Sequence, residues 1–96
     1  MEASRDEVER ALRLLGGERE DSNHRNFPVT VDGTFVGKAS IGHSWTKLDT
    51  KRLGKVAAQI YLSARELYDV TRGNKDLDWY RQHLKDKGVL EDEDVP

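Results

Sequence analysis

Cysteine is absent from this chain of 96 residues, and proline occurs only twice. Without thiols the chain forms neither a disulfide nor a thiolate zinc site, and this composition fits a reducing compartment, so we expect a cytoplasmic protein. No apolar run approaches the roughly 20 residues that cross a membrane, and the charged stretch Met1–Arg10 lacks the apolar core of a signal peptide. The length suits one domain, expected over residues 1–90, followed by an acidic, disordered tail at residues 91–96.

Sequence motifs for metals and nucleotide cofactors are also missing. The three histidines are scattered and lack a metal-ligand spacing such as His-Glu-x-x-His, and no Walker or Rossmann glycine loop occurs. We therefore expect neither a metal nor another cofactor. The serines lie at turns and helix caps, where bonding to the local backbone explains them, so no Ser/His/Asp triad is predicted.

Charge is distributed unevenly along the chain, although the net charge is only −2. Residues 34–60 contain five basic side chains and one acidic side chain, a local charge of +4. The basic residues are Lys38, Lys47, Lys51, Arg52 and Lys55. Because local charge sets the field at a site, this stretch can bind phosphates, although a solvated helix face explains it equally well.

A capping box predicts where the first helix begins. Ser4 can accept a hydrogen bond from the backbone three residues later, and Glu7 can reach back to the N-cap. Apolar residues then follow at the spacing of one helical face, at Val8, Ala11, Leu12 and Leu15. Gly16 and Gly17 favour a left-handed cap, so the helix is predicted over Arg5–Leu15.

The apolar period changes to two after His24, which indicates strands. Alternating apolar residues stand at Phe27, Val29 and Val31. Asp32-Gly33 is a hairpin turn signal, and residues 35–41 supply the return strand. Pro28 cannot donate to a ladder and should lie at an edge or a bulge. A short strand at Glu18–Asp21 is predicted to precede the hairpin.

Helices are predicted for the rest of the chain, after a loop at residues 42–49. The second helix is expected over Thr50–Leu62, with apolar residues at helical spacing. A second capping box, Ser63–Glu66, opens a short third helix, and Asp76 caps a last helix that ends before Gly88. The order is helix, two or three antiparallel strands, helix and two short helices. We therefore expect an α+β fold in which helices cover one face of a small antiparallel sheet.

Two of the histidines, His24 and His43, lie at positions that suit proton transfer to or from a substrate. His24 ends a polar turn and begins the first clear strand, where the sheet holds it and a substrate can reach it, as proton transfer requires. His43 follows the return strand, so pairing across the turn would bring both imidazoles towards one groove, although spacing alone favours two ordinary loop histidines. Trp45 can stack on a base or cover the core, and His83 is expected on the surface of the last helix.

Ser22-Asn23-His24 follows a helix and a glycine turn, precedes alternating apolar residues, and resembles the Gly-Ser-x-His or Gly-Ser-His element of HicA-type toxins. Lys38–Ser44 resembles the third-strand and loop segment of a longer branch of that family, and Leu62–Leu67 resembles its Leu-Ser-x-x-Glu-Phe segment. The resemblance extends over about Ser4–Leu90. It implies a fold similar to double-stranded-RNA-binding domains, α-β-β-β-α, here with two short C-terminal helices.

The same resemblance implies the toxin of a toxin–antitoxin system, which cleaves messenger RNA without a metal, and a HicB-like antitoxin that covers the site. Carried over, His24 is the catalytic residue and takes the proton of a ribose 2′-hydroxyl, while we expect His43 to be a second proton carrier. The remaining residues expected to bind RNA are Ser22, Asn23, Lys38, Ser44, Lys47, Lys51 and Arg52.

Two other functions stay open from the sequence. Asp21 stands where the family usually has glycine, which favours a catalytically silent module that binds duplex RNA by shape and phosphate contacts. The other alternative is a protein-interaction domain that uses the acidic outer helices and Trp79-Tyr80 to engage a partner such as an antitoxin. RNA retention without cleavage distinguishes the first alternative, and a stable protein complex without RNA binding distinguishes the second.

Overall fold

The structure is a computed structural model that describes residues 1–20 and 25–91. In chain order these residues form β1 (Glu2–Ser4), α1 (Arg5–Leu14), β2 (Arg25–Val31), β3 (Thr34–Ile41), β4 (Lys47–Asp49), α2 (Thr50–Ala58), α3 (Ala64–Thr71) and α4 (Leu77–Asp86). The described strands form two antiparallel two-stranded sheets, β1 with β4 and β2 with β3. The expected α+β class is therefore confirmed, although the expected single sheet is divided in two.

Each helix begins where the sequence provides a capping side chain. The Ser4 hydroxyl accepts from the backbone N–H of Glu7 at 3.2 Å, and the Glu7 carboxylate accepts from the N–H of Ser4 at 3.0 Å. The N-caps of the later helices are Asp49 for α2, Ser63 for α3 and Asp76 for α4. These side chains satisfy N–H groups that have no partner within the first helical turn, which is why the predicted starts are accurate.

The β2–β3 hairpin turns at Asp32-Gly33, as predicted. Both turn residues have positive φ, 51° and 81°, the backbone that suits a two-residue hairpin turn. The register shifts between Val29 and Thr30, where Val36 of β3 is the extra residue of a bulge, so Pro28 lies two residues before the shift and is itself paired with Lys38. One face of the hairpin is buried, with inward side chains at Phe27, Val29, Val31, Val36, Ala39 and Ile41.

Residues 16–20 run antiparallel to β2 without forming a full strand. The N–H groups of Glu18 and Glu20 donate to β2 carbonyls at 3.2 and 2.8 Å, and Gly17 forms an isolated bridge to the same strand. The strand predicted at Glu18–Asp21 is therefore reduced to a hydrogen-bonded edge as far as Glu20. Its last residue lies outside the described residues.

The prediction of a loop across residues 42–49 is wrong at Lys47–Asp49, which forms β4. This strand pairs with Glu2–Ser4, and the opposed residues Ala3 and Leu48 are both buried. A strand of three residues is too short to show a recognisable alternation of apolar and polar residues. Its pairing also depends on a partner strand that is distant in the sequence. The small sheet leads directly into α1 and α2, so it holds the starts of these two helices together.

The second helix ends at Ala58 rather than at the predicted Leu62. Tyr61 has φ +66°, a left-handed backbone that does not continue a helix. Ile60 and Leu62 are nevertheless buried in this turn, so their apolar pattern continues past the helix end. The apolar periodicity therefore predicted the buried residues correctly, but it overestimated the length of the helix.

The core lies between the helices and the inner face of the hairpin. Its fully buried side chains include Leu12, Leu15, Phe27, Leu48, Leu53, Val56, Ile60, Leu67, Tyr80 and Leu84. These residues come from both sheets and all the helices described, so the elements share one core. Across residues 1–20 and 25–91, no helix has the length and apolar character that crossing a membrane requires.

Candidate functional site

The candidate site lies at the open end of the β2–β3 hairpin, opposite the turn. Three of its predicted residues, Ser22, Asn23 and His24, lie outside the described residues. The structure describes the start of β2 and the end of β3, between which the site was predicted. The site is therefore described from the residues at this end of the hairpin.

Arg25, the first residue of β2, is fixed by an ion pair that is largely shielded from solvent. Its Nη1 lies 2.6 Å from Oε2 of Glu9, and the two side chains are 22% and 8% exposed. Because Glu9 belongs to α1, the pair joins the hairpin to the first helix. In the sheet register Arg25 stands opposite Ile41, the last residue of β3. The sequence offered no signal for the ion pair, because its partners lie on different elements.

The next pair of the ladder is also held by side chains. The Ser40 hydroxyl lies 2.7 Å from Oδ1 of Asn26, directly across the two strands. The backbone N–H of Ser40 donates to Oε1 of Gln59 at 2.6 Å, at the C-cap of α2. This second bond ties the outer edge of β3 to α2, so the open end of the hairpin is anchored to two helices.

The loop after β3 presents the second predicted proton carrier, His43. His43 and Ser44 are both exposed, and the N–H of Trp45 closes their turn by donating to the carbonyl of Gly42 at 3.0 Å. Within the part of the chain that the structure describes, the His43 ring has no side-chain hydrogen bond or ion pair. Its imidazole is accordingly accessible to a ligand.

Trp45 covers part of the core, which is one of its two predicted roles. Its ring is half-buried against the core cluster and lies so close to Gly42 that a Cβ added there would clash with it. The guanidinium of Arg52 lies over the same ring, 5.0 Å from its centroid. These contacts occupy the indole, so base stacking on it has little support.

The predicted cations divide into two groups. Lys47, Lys51, Arg52 and Lys55, hereafter the basic cluster, are exposed and form no ion pair with any residue of 1–20 or 25–91. Lys38 differs, because its Nζ lies 3.1 Å from a carboxylate oxygen of Glu20. Lys38 is therefore partly neutralised, whereas the charges of the basic cluster have no ion-pair partner among the described residues.

Comparison with known proteins adds no family to this geometry. No family model, curated protein or solved structure matches the chain. Among the described residues, no group of three or more His, Cys, Asp or Glu side chains is placed to hold a metal ion. The described site thus offers an accessible imidazole just after β3, opposite the anchored start of β2, and Trp45 in the same loop contacts Arg52 of the basic cluster.

His83 lies away from this site, and its predicted surface position is wrong. Its side chain is only 12% exposed, and Nε2 lies 2.6 Å from the carbonyl oxygen of Tyr61. Nδ1 lies 3.7 Å from Glu66, and the ring stacks on Trp79 with centroids 4.7 Å apart. His83 therefore fastens α4 to the turn after α2, a role set by tertiary contacts alone.

Proposed function

We propose that this protein is an RNA-binding endoribonuclease that acts without a metal, as the toxin of a toxin–antitoxin system similar to the HicA family. The observation that carries the proposal is the pairing of Arg25 with Ile41. His24 precedes the first of these residues in the chain, and His43 lies two positions beyond the second. Because the strands are antiparallel, both connections start from the open end of the hairpin, within reach of one substrate.

The proposed reaction is an internal transesterification of RNA. His24 takes the proton of a ribose 2′-hydroxyl, and the 2′-oxygen forms a bond to the adjacent phosphorus while the bond from phosphorus to the 5′-oxygen breaks. His43 gives a proton to the departing 5′-oxygen. The products are a 2′,3′-cyclic phosphate and a 5′-hydroxyl, so the step needs no further reactant. General acid–base catalysis of this kind contributes about 10²–10⁴-fold.

The basic cluster supplies the electrostatic part of RNA binding in this proposal. Cations that neutralise phosphates release counterions and stabilise the charge that develops on the phosphorane oxygens. Ser22, Asn23 and Ser44 supply hydrogen bonds at the same end. Lys38 has a smaller role than the sequence alone indicated, because Glu20 competes with phosphate for its ammonium group.

The order of elements gives independent support. Helix α1, the edge at residues 16–20, the β2–β3 hairpin and α2 occur in the order α-β-β-β-α once the separate sheet of β1 and β4 is set aside, in which β4 lies between the hairpin and α2. In our proposal this is a double-stranded-RNA-binding-domain-like arrangement with a reduced first strand. The partner is a HicB-like antitoxin, which covers the open end of the hairpin and blocks RNA.

Cleavage of a defined RNA in EDTA tests the proposal. We expect the wild-type protein to cut an all-RNA oligonucleotide and to leave a 2′,3′-cyclic phosphate. An oligonucleotide with a single 2′-deoxy nucleotide at the cut position should resist, because it lacks the attacking oxygen. His24→Gln should abolish cutting, and His43→Gln should slow it by about 10²–10⁴-fold.

The His24→Gln protein, purified identically, is the control for contaminating nucleases. Equal cutting by this variant and the wild type would remove His24 from the mechanism. RNA binding without any cutting would support the silent RNA-binding module instead. Growth arrest on induced expression, relieved by His24→Gln and by co-expression of an antitoxin, is the outcome expected in cells.

A further inference from the structure

The side chain of Arg52 is held in place before any ligand arrives. Its guanidinium lies 5.0 Å from the centroid of the Trp45 ring, and its Nη1 lies 3.4 Å from the carbonyl oxygen of Lys47. The Trp45 ring is itself fixed against Gly42 and the core. An exposed arginine ordinarily samples many rotamers. Because these two contacts already restrict the Arg52 side chain, binding a ligand costs less conformational entropy.

The charge of Arg52 has no carboxylate partner within the described residues, and this distinguishes it from a closely similar arginine. Arg72 also lies 5.0 Å from the centroid of an aromatic ring, that of Tyr68. Its Nη2, however, lies 3.0 Å from Oε2 of Glu7. Both guanidinium groups therefore lie over an aromatic ring, but of the two only Arg72 has its charge neutralised by a carboxylate.

The nearest acidic side chain in the sequence is already engaged elsewhere. Asp49 uses Oδ1 to accept the backbone N–H of Arg52 at 2.9 Å, and so caps α2. The ion pairs of the described residues contain no contact between this carboxylate and the Arg52 guanidinium. A preorganised guanidinium is suited to a phosphate, which it can bind through two parallel hydrogen bonds, and Lys47 and Lys51 of the basic cluster are close to Arg52 in the sequence.

We propose that Arg52 binds a backbone phosphate of RNA and that Trp45 is the positioning residue that aims its guanidinium. This inference rests on the proposed RNA binding and deepens it, because it assigns one phosphate contact to one oriented side chain. Lys47 and Lys51 contribute charge to the same site as flexible point cations. Trp45 thereby acts through Arg52, and its ring makes no contact with a base.

Binding of a fluorescein-labelled 2′-O-methyl oligouridine, followed by anisotropy over a series of KCl concentrations, tests this assignment. The probe keeps its phosphates and lacks the 2′-hydroxyl, so binding is measured apart from cleavage. Arg52→Gln should make the negative slope of log Kobs against log[KCl] shallower by about 0.7, the value for one single-strand phosphate contact. Arg72→Gln, the matched control, should leave that slope unchanged.

A double-mutant cycle separates the positioning role of Trp45 from a structural one. Trp45→Leu should weaken binding by about 2–5-fold in the wild-type background and have no effect when Arg52 is already glutamine. Trp45→Phe, which keeps an aromatic face, should restore most of the affinity. Circular dichroism of each variant tests whether the fold is retained, and Trp45→Met, which also lacks an aromatic face, replaces the leucine arm where Trp45→Leu fails to fold.

Each result decides one claim. An unchanged salt slope for Arg52→Gln, with the wild type still binding, would overturn the phosphate assignment and leave the proposed nuclease intact. Additive losses for Trp45→Leu and Arg52→Gln would overturn the positioning role. Absence of wild-type binding even at low salt would instead contradict the proposed RNA function itself.

Discussion

Tyr80 places a phenol in the interior of the protein. Its side chain is fully buried, and its hydroxyl donates to the carbonyl of Ile60 at 2.9 Å. Burial, and after it the charge that Tyr61 acquires in alkali, raises the pKa of the Tyr80 phenol above its ordinary value of 10.0. The folded protein therefore requires the neutral phenol, because ionisation would bury a charge without a partner.

Removing the Tyr80 hydroxyl should destabilise the protein and alter its behaviour in alkali. Tyr80→Phe leaves a buried carbonyl without its donor, so we expect the free energy of unfolding to fall by about 1–2 kcal/mol at neutral pH. The raised pKa stabilises the wild type fully below the unfolded value of 10.0, and this contribution is lost as the pH rises above it. Urea denaturation at neutral and alkaline pH measures both effects, and an identical alkaline loss in the variant would contradict the assignment.

At the scale of the element, α1 shows how a short sequence motif fixes a helix start. The Ser4 backbone N–H donates to the Glu7 carboxylate and lowers its pKa from the ordinary 4.5. Burial opposes this shift, while the Ser4 hydroxyl and the Arg72 guanidinium favour it. The ionised carboxylate is thus part of the cap and also holds α3 to α1, since Arg72 is the C-cap of α3.

The Glu7 contacts predict sensitivity to acid. Because the pKa of this carboxyl is depressed in the fold, its stabilisation is present above the unfolded value of 4.5 and is lost as the pH falls through the lowered folded value. Glu7→Gln keeps an oxygen that accepts from the Ser4 N–H but removes the charge that pairs with Arg72. We therefore expect it to cost about 0.5 kcal/mol at neutral pH and nothing at a pH below both pKa values. Thermal denaturation from neutral pH down to strong acid measures this, and a constant difference between the two proteins would count against it.

At the scale of the whole molecule, the pair of Arg25 and Glu9 connects the hairpin that presents the site to the helical layer. Arg25→Ala leaves the Glu9 carboxylate, only 8% exposed, without its partner. We expect a loss of about 2–3 kcal/mol in the free energy of unfolding, since an uncompensated buried charge is costly. Urea denaturation provides the measurement.

Arg65→Ala is the matched control for this prediction. Arg65 pairs with Asp69 within one helix at 3.1 Å and is 72% exposed, so its loss should cost no more than about 0.5 kcal/mol. Equal losses for the two variants would show that the Arg25 pair has no special role in joining the hairpin to α1.

Local chemistry accounts for what the sequence predicted correctly. The starts of α1 and α3 depend on a hydroxyl and a carboxylate three residues apart, and the hairpin turn depends on adjacent residues that tolerate positive φ. Such interactions are complete within one turn of chain, so they can be read without knowing the fold. The same is true of the basic stretch, whose charge is a property of composition.

Only the tertiary structure decided the features that depend on residues distant in the chain. These are the pairing of β1 with β4, the end of α2 at Ala58, the burial of His83, the Arg25–Glu9 pair and the neutralisation of Lys38 by Glu20. The sequence determined which cationic and imidazole side chains the protein contains. Folding determined which of them remain exposed and unpaired, and so able to bind a ligand. The physical reason is that the free energy of a charged group or an aromatic ring depends on its neighbours. Those neighbours are set when the elements pack together around one shared core.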